Sequence, residues 1–497
     1  MRKYFHQGLQ HLRALMHLTD LCRLIFSVMK RFIVLILAVF ASMTSILAQD
    51  APVENTDNGK SKFAIKAYPF RGTYLDKGVH FEKFGGAFPA GVNLGFEFPS
   101  QQQRPWQQYL GNATAGIGVS WIDFGHDMLG HSVAVYPYIL LNAIDTDFFQ
   151  MRFKVAGGLA AVTEHWYTQE DHDPDHYYEE TVNTVFGCYL NVYLNAGIQL
   201  NVPITKYLAF GTEFGYFHMS NGRTNMPNIG MNAIYGSVGV TATFNSESKK
   251  TPVNFPDIPY GWALNISGAA GAQQPAIEDT HKYLISTLHV APVYHVNNWY
   301  AVGLGLDVFF NNAVSKNTER NLYCHGSFDV GSLRGDFPDM DIPGNDSDII
   351  DCTTCGSEKE IDYGFAQKVR AGIALNNEFK FGAVTAMVDW GVYFYNPSRH
   401  IYYDYHYDNF GKVAPKRPLL YTTPNGAGGE EACHYIRFGL KYRVWDNLFL
   451  QASAKTHLHI CEFIEFGLGY QIPFLKKGNR SEGKSNIFHH RKNWWKE

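Results

Sequence analysis

In "LNVYLNAGIQL", Leu190, Val192, Leu194, Ala196, Ile198 and Leu200 fall on one side of an extended chain, with Asn191, Tyr193, Asn195 and Gln199 on the other. Successive side chains of a strand point to opposite faces, so this segment is a strand with two chemically different sides. The pattern recurs. In "QMRFKVAGGLA", Gln150, Arg152 and Lys154 oppose Met151, Phe153 and Val155; in "YIRFGLKYRV", Arg437, Lys441 and Arg443 oppose Ile436, Phe438, Leu440 and Tyr442. A water-soluble sandwich buries the apolar side, whereas a membrane barrel turns it to lipid and keeps the polar side within. Periodicity alone does not choose between them.

Loop lengths do. Eight candidate strands precede the linker "NSESKKTPVNFPDIP" and about eight follow it. Tight turns near Lys206, Asn297, Asn376 and Asp446 mostly alternate with long polar loops at 167–184, 312–362 and 397–431, and "SQQQRPWQQYLGN" is the one long connection on the short-turn side. Short turns at one end and long loops at the other belong to outer-membrane barrels. The expected fold is all-β, a transmembrane antiparallel up-and-down barrel of about 16 strands built as a duplicated eight-strand unit. The copies close either as two tandem barrels or as one large one. Composition agrees, since only 18% of residues are charged and 15% are aromatic. A net charge of −4 leaves no basic stripe for a nucleic acid.

"MKRFIVLILAVFASMTSILAQ" has the basic start, apolar run and small-residue end of a secretory signal cleaved after Ala48. Residues 1–48 are therefore read as a signal peptide, the stretch before Met29 as an overcalled start, and a transmembrane anchor as the alternative. The first unit is expected over 61–245, a linker over 246–258, a second and degenerate unit over 259–474, and a solvated basic tail over 475–497. Of the 7 cysteines all but Cys22 lie beyond the signal, and only Cys352 and Cys355, with Cys324 nearby, have suggestive spacing. A loop disulfide is expected rather than a zinc site, which lacks a second ligand pair.

"YFHMSNGRTNMPNIGMNAIYG", residues 216–236, gathers the candidate chemistry. Leu208, Phe210, Thr212, Phe214, Tyr216, His218 and Ser220 form the bulky face of one strand, and that face should meet lipid. On the return strand Asn232 shares a face with Ile234, Val238 and Val240 and joins them outside. His218 and Ser220, two residues apart on one face, sit about 7 Å apart at their Cα atoms, close enough to hydrogen bond. Hydroxyl, imidazole and a third orienting group are what ester cleavage needs, and at a loop tip level with the outer leaflet the ester would belong to a lipid.

The stretch "HMSNGRTNMPNIGMN" resembles the active-site strand and loop of the outer-membrane lipid A 3-O-deacylases, the PagL family: His-x-Ser-Asn, a loop with Pro-Asn-x-Gly, then an acidic residue on the last strand. The resemblance implies His218 as general base, Ser220 as nucleophile, Asn221 as oxyanion donor and Asn228 in the matched Pro-Asn pair. It implies release of a 3-hydroxy fatty acid from lipopolysaccharide of a Gram-negative outer membrane, without metal or cofactor. Where the family carries Glu this chain has Asn232, which accepts the imidazole N–H but does not balance an imidazolium; Glu179 or Glu180 in a loop is the conceivable substitute. Phe210, Phe214 and Ile234 are expected to bed the acyl chain.

The second unit repeats no such set. Gln451, Ser453, Lys455, His457, His459 and Glu465 are expected to face inward as a polar network, and Glu213 of the first unit to pair inside with Arg152 or Lys154. The alternative function is a non-enzymatic barrel, a porin or surface-interaction protein. Its loop "DFPDMDIPGNDSD" fits no calcium site well. Homo-oligomer formation stays open.

Overall fold

A computed structural model describes residues 62–75, 84–100, 110, 112–168, 183–244, 261–274, 281–297, 299–313, 327–329, 349–351, 364–397, 433–445, 447–457 and 460–474. The leader, linker and tail, the pairing of Cys324, Cys352 and Cys355, the Asp-rich loop, Glu179, Glu180 and His459 lie outside the described residues.

The first eight strands are β1 (Phe63–Tyr74), β2 (Ala90–Phe98), β3 (Thr114–Asp123), β4 (His131–Asp145), β5 (Gln150–Val162), β6 (Leu190–Pro203), β7 (Leu208–Ser220) and β8 (Met231–Phe244). They pair in chain order, and β8 returns to β1 from Phe63↔Phe244 to Tyr74↔Ala233, which closes a barrel. The second barrel follows as β9 (Gly261–Gln273), β10 (Tyr283–His295), β11 (Tyr300–Asn311), β14 (Val369–Phe381), β15 (Val384–Tyr395), β16 (His434–Arg443), β17 (Leu448–His457) and β18 (Ile460–Pro473), with β18 paired to β9. Between β11 and β14, β12 (Ser327–Asp329) and β13 (Ile349–Asp351) form a separate two-stranded sheet. The duplicated unit thus closes as two barrels, both within one compact unit, Asp57–Glu497. Closure leaves no barrel strand with an unpaired edge, the condition for a sheet to cross hydrocarbon.

The tight turns follow expectation at 204–207, where Ile204 N and Thr205 N both donate to Leu208 O at 2.8 and 3.0 Å, and at Asn297, where Val296 N donates to Tyr300 O; Asp446 lies outside the described residues. They fail at Asn376. Asn376, Asn377 and Glu378 lie within β14, and the chain turns instead at Gly382, whose φ is +71°. Local propensity reads Asn-Asn-Glu as a turn, but a barrel interior accepts polar side chains, and Glu378 meets Lys441 there at 2.6 Å.

Apolar residues face outward around both barrels: Phe214 is 59% exposed, Leu304 60% and Phe466 68%. The insides are polar and filled. Lys154 Nζ lies 2.8 Å from Glu213 Oε1, and Lys66 Nζ stands 3.3 Å from Glu97 and 3.6 Å from Glu213. Lys154 is therefore the direct partner of Glu213, while Arg152 sits 3.8 Å from Glu97. Toward the long-loop end the first interior turns apolar, with Phe124, Leu129, Val185, Phe186, Phe217, Met219 and Met231 packed together. In the second barrel Arg437 bridges Asp307 and Asp389 at 3.0 and 2.9 Å. Lys455 and His457 are inward as expected, but they gather on Glu462, which also pairs with Arg370; Glu465 instead accepts the Ser453 hydroxyl at 2.8 Å.

Candidate active site

β7 and β8 pair without interruption from Leu208↔Ala242 to Met219↔Met231, so the alternation of faces carries through to the tip. Glu213, Phe217 and Met219 point into the barrel and are buried, whereas Phe210 and Phe214 point out. His218 stands directly opposite Asn232 on the same outer face. Side chains opposed across an antiparallel pair are in contact range, which makes Asn232 rather than a more distant loop group the neighbour of the imidazole.

Three hydrogen bonds join these residues in series. His218 Nε2 lies 2.9 Å from Ser220 Oγ, and His218 Nδ1 lies 2.8 Å from Asn232 Oδ1. Asn232 Oδ1 also accepts the Tyr216 hydroxyl at 2.6 Å. An amide oxygen only accepts, so Nδ1 carries the ring proton and Nε2 presents its lone pair to the Ser220 hydroxyl. That tautomer equips a general base to take the serine proton. Tyr216, on the same face two residues before His218, was legible as an interfacial aromatic; its bond to Asn232 was not.

Behind the site the wall is stiff. Phe217, Met219, Met231 and Ala233 are buried in the apolar cluster that fills this end of the barrel, so the outward side chains between them stand on a packed backing. The backbone of Asn232 is tied to β1 by Leu75 N, which donates to Asn232 O at 2.9 Å.

The 221–230 loop folds over the strand ends. Asn221 N donates to Asn228 Oδ1 at 2.9 Å, and Asn221 Nδ2 donates to Asn225 O at 3.0 Å. Asn221 is 2% exposed, and both its backbone N–H and its side-chain amide are engaged inside the loop. Asn228, whose Oδ1 is taken, keeps its amide NH2 as its donating end. Gly230 N bonds Val185 O at 3.1 Å, docking the loop on residues 183–187. Gly230 has φ +76°, and a Cβ there would stand 3.2 Å from Ser220 Cβ and 3.5 Å from His218 Cε1, so glycine satisfies both the backbone and the close approach. Below the triad Phe214 and Ile234 continue the outward apolar stripe, with Ile234 paired to Tyr216 and Phe214 to Gly236; Phe210 lies further down the same stripe.

Ser220 is 6% exposed, on the outer face but covered close to Gly230 of the loop. A serine hydrogen-bonded to an imidazole lone pair can attack a carbonyl that reaches it there, and the orienting group here is an amide. Comparison with known proteins bears on the substrate. Residues 90–241 match the family model "Lipid A 3-O-deacylase (PagL)", and residues 262–412 and 420–475 match "Acyloxyacyl hydrolase, C-terminal domain". No curated protein matches the chain. Among solved structures, the outer membrane enzyme PagL is 14% identical with a TM-score of 0.24, over 36% of this chain and 98% of that one. Ail, the attachment invasion locus protein of Yersinia pestis, is 12% identical with a TM-score of 0.21, over 38% of this chain and 100% of its own. The toluene transporter TodX of Pseudomonas putida is 7% identical with a TM-score of 0.15, over 86% and 92%. The two family models together match most of the chain, and the first contains residues 218–232 entire. The first of these barrels belongs to the lipid A 3-O-deacylase (PagL) family, the second matches the acyloxyacyl hydrolase C-terminal domain, and the protein resides in the outer membrane of a Gram-negative bacterium.

Proposed function

We propose that the chain hydrolyses the ester at the 3-position of lipid A, with Ser220 as nucleophile, His218 as general base and Asn232 holding the ring. The observation that carries this reading is the unbroken series Ser220–His218–Asn232 on the outer face of β7 and β8. Ser220 Oγ attacks the acyl carbonyl carbon while its proton passes to His218 Nε2. The tetrahedral oxyanion is met by the Asn228 amide, whose orientation the Asn221 N–H sets. Collapse breaks the ester C–O bond, and the sugar 3-oxygen leaves with the proton held on Nε2. Water then attacks the acyl-serine carbonyl, giving a proton to His218 Nε2; collapse breaks the acyl C–Oγ bond, Nε2 returns that proton to Ser220 Oγ, and the 3-hydroxy fatty acid departs. Phe210, Phe214 and Ile234, aligned below the nucleophile on the lipid side, suit an acyl chain lying along the wall.

Asn232 makes this a slower design than one with a carboxylate. An amide fixes the tautomer but adds no charge to stabilise the imidazolium that forms during attack. Mass spectra of lipid A from cells expressing the protein test the reading. One 3-hydroxyacyl chain should be lost with the native chain and retained with Ser220→Ala; identical spectra from the two would return the protein to a barrel without chemistry.

A further inference from the structure

The loop that carries Asn221 and Asn228 is held from outside its own barrel. Gly222 and Arg223 both have φ +61°, a left-handed conformation that a non-glycine residue keeps only where its surroundings enforce it. The enforcing contacts come from the second barrel. Gln274, just past β9 and 2% exposed, donates its backbone N–H to Arg223 O at 2.9 Å. Its side-chain Oε1 accepts Met226 N at 3.0 Å, so one residue brackets the turn from both sides. Lys282, just before β10, donates to Asn225 Oδ1 at 2.7 Å. On the other flank Gly222 packs on β18: a Cβ there would lie 2.5 Å from Ile464 Cγ1 and 3.3 Å from Cys461 Sγ. Ile464 belongs to the outward stripe of β18 yet is half-buried, unlike its neighbours Phe466 and Leu468, which are exposed. Since β18, β9 and β10 are adjacent strands, these contacts form one continuous patch of rim.

We infer that this rim is an intramolecular clamp for the catalytic loop, with Gln274 as a positioning residue acting through Met226 and Arg223 on Asn221 and Asn228; the inference rests on the esterase reading of that loop. The line of force is short. Lys282 fixes Asn225, the Asn225 carbonyl and N–H bond the Asn221 side chain, and the N–H of Asn221, the residue after Ser220, holds the Asn228 amide oxygen. The second barrel thereby serves the first through its rim, since catalysis tolerates little drift of a group that must meet a developing oxyanion.

The test uses the full-length protein in lipid–detergent micelles with lipid A as substrate. Gln274→Leu removes the acceptor for Met226 N–H and should lower kcat about tenfold or more with KM unchanged, whereas Gln274→Glu keeps an acceptor and should restore it. Independently of turnover, amide hydrogen exchange over residues 221–228 should accelerate in Gln274→Leu and stay at the native rate in Gln274→Glu. Native exchange in Gln274→Leu, or equal loss of kcat in both variants, overturns the clamp. If the native chain and Ser220→Ala are equally inactive while the exchange pattern holds, the esterase reading falls and the clamp stands.

Discussion

The tips of β7–β8 and β17–β18 occupy the same place in their respective barrels and carry similar residue types, yet they put them to opposite use. At the first tip the register is unbroken, and a His, a Ser and an Asn stay on the outer face as a hydrogen-bonded series. At the second, pairing shifts between Lys455 and Thr456, so β18 holds an extra residue against β17. That bulge draws Glu462 inside, where Arg370, Lys455 and His457 surround it, and His457 Nε2 also meets the Tyr393 hydroxyl at 3.2 Å. Which side of a strand a histidine occupies decides whether it joins a hydroxyl on the outer wall or balances a buried carboxylate.

This contrast can be broken most sharply by removing each imidazole in turn. His218→Ala should cut kcat for ester release by about 10⁴ or more, as loss of the base does in serine hydrolases, while His457→Ala should leave kcat of the folded protein unchanged. Single-turnover release of 3-hydroxy fatty acid measures both, and a comparable loss from His457→Ala would mean that the two tips are not functionally distinct. The reverse asymmetry should hold for stability. Glu462→Gln strips the carboxylate from two buried cations and should cost about 3–5 kcal/mol in urea unfolding from vesicles, whereas Asn232→Ala on the lipid side should leave the midpoint nearly unmoved. A smaller effect sharpens the first tip alone. Asn232→Glu should raise kcat about tenfold or more and move the acid limb of the pH–rate profile upward, because a carboxylate favours the imidazolium and so raises the pH at which the ring loses its proton.

What the sequence made legible follows from where periodicity survives. From Leu208 to Ser220 each residue adds one step of alternation with no bulge, so the outward placement of His218 and Ser220 could be read from Phe210 and Phe214 alone. Near Glu462 the same counting failed: taking Glu465 as inward makes Phe463 and Cys461 inward in turn and leaves Glu462 outside, whereas the bulge brings it in. Asn376 and Glu378 misled for a related reason, since their polarity serves the barrel interior rather than a turn. The assignment of Asn221 as an oxyanion donor followed from the resemblance; that its amide also bonds Asn225 O within the loop had no mark in the sequence. Gln274 was out of reach, because a contact across 48 residues between two barrel rims leaves no periodic mark.

The apolar packing of Phe217, Met219 and Met231 behind the nucleophile seals the barrel bore from the catalytic wall. On the proposed reading, a fatty acid released at Ser220 would therefore leave sideways into the leaflet rather than through the bore, and the fluidity of the surrounding lipid would govern how soon the next headgroup takes its turn.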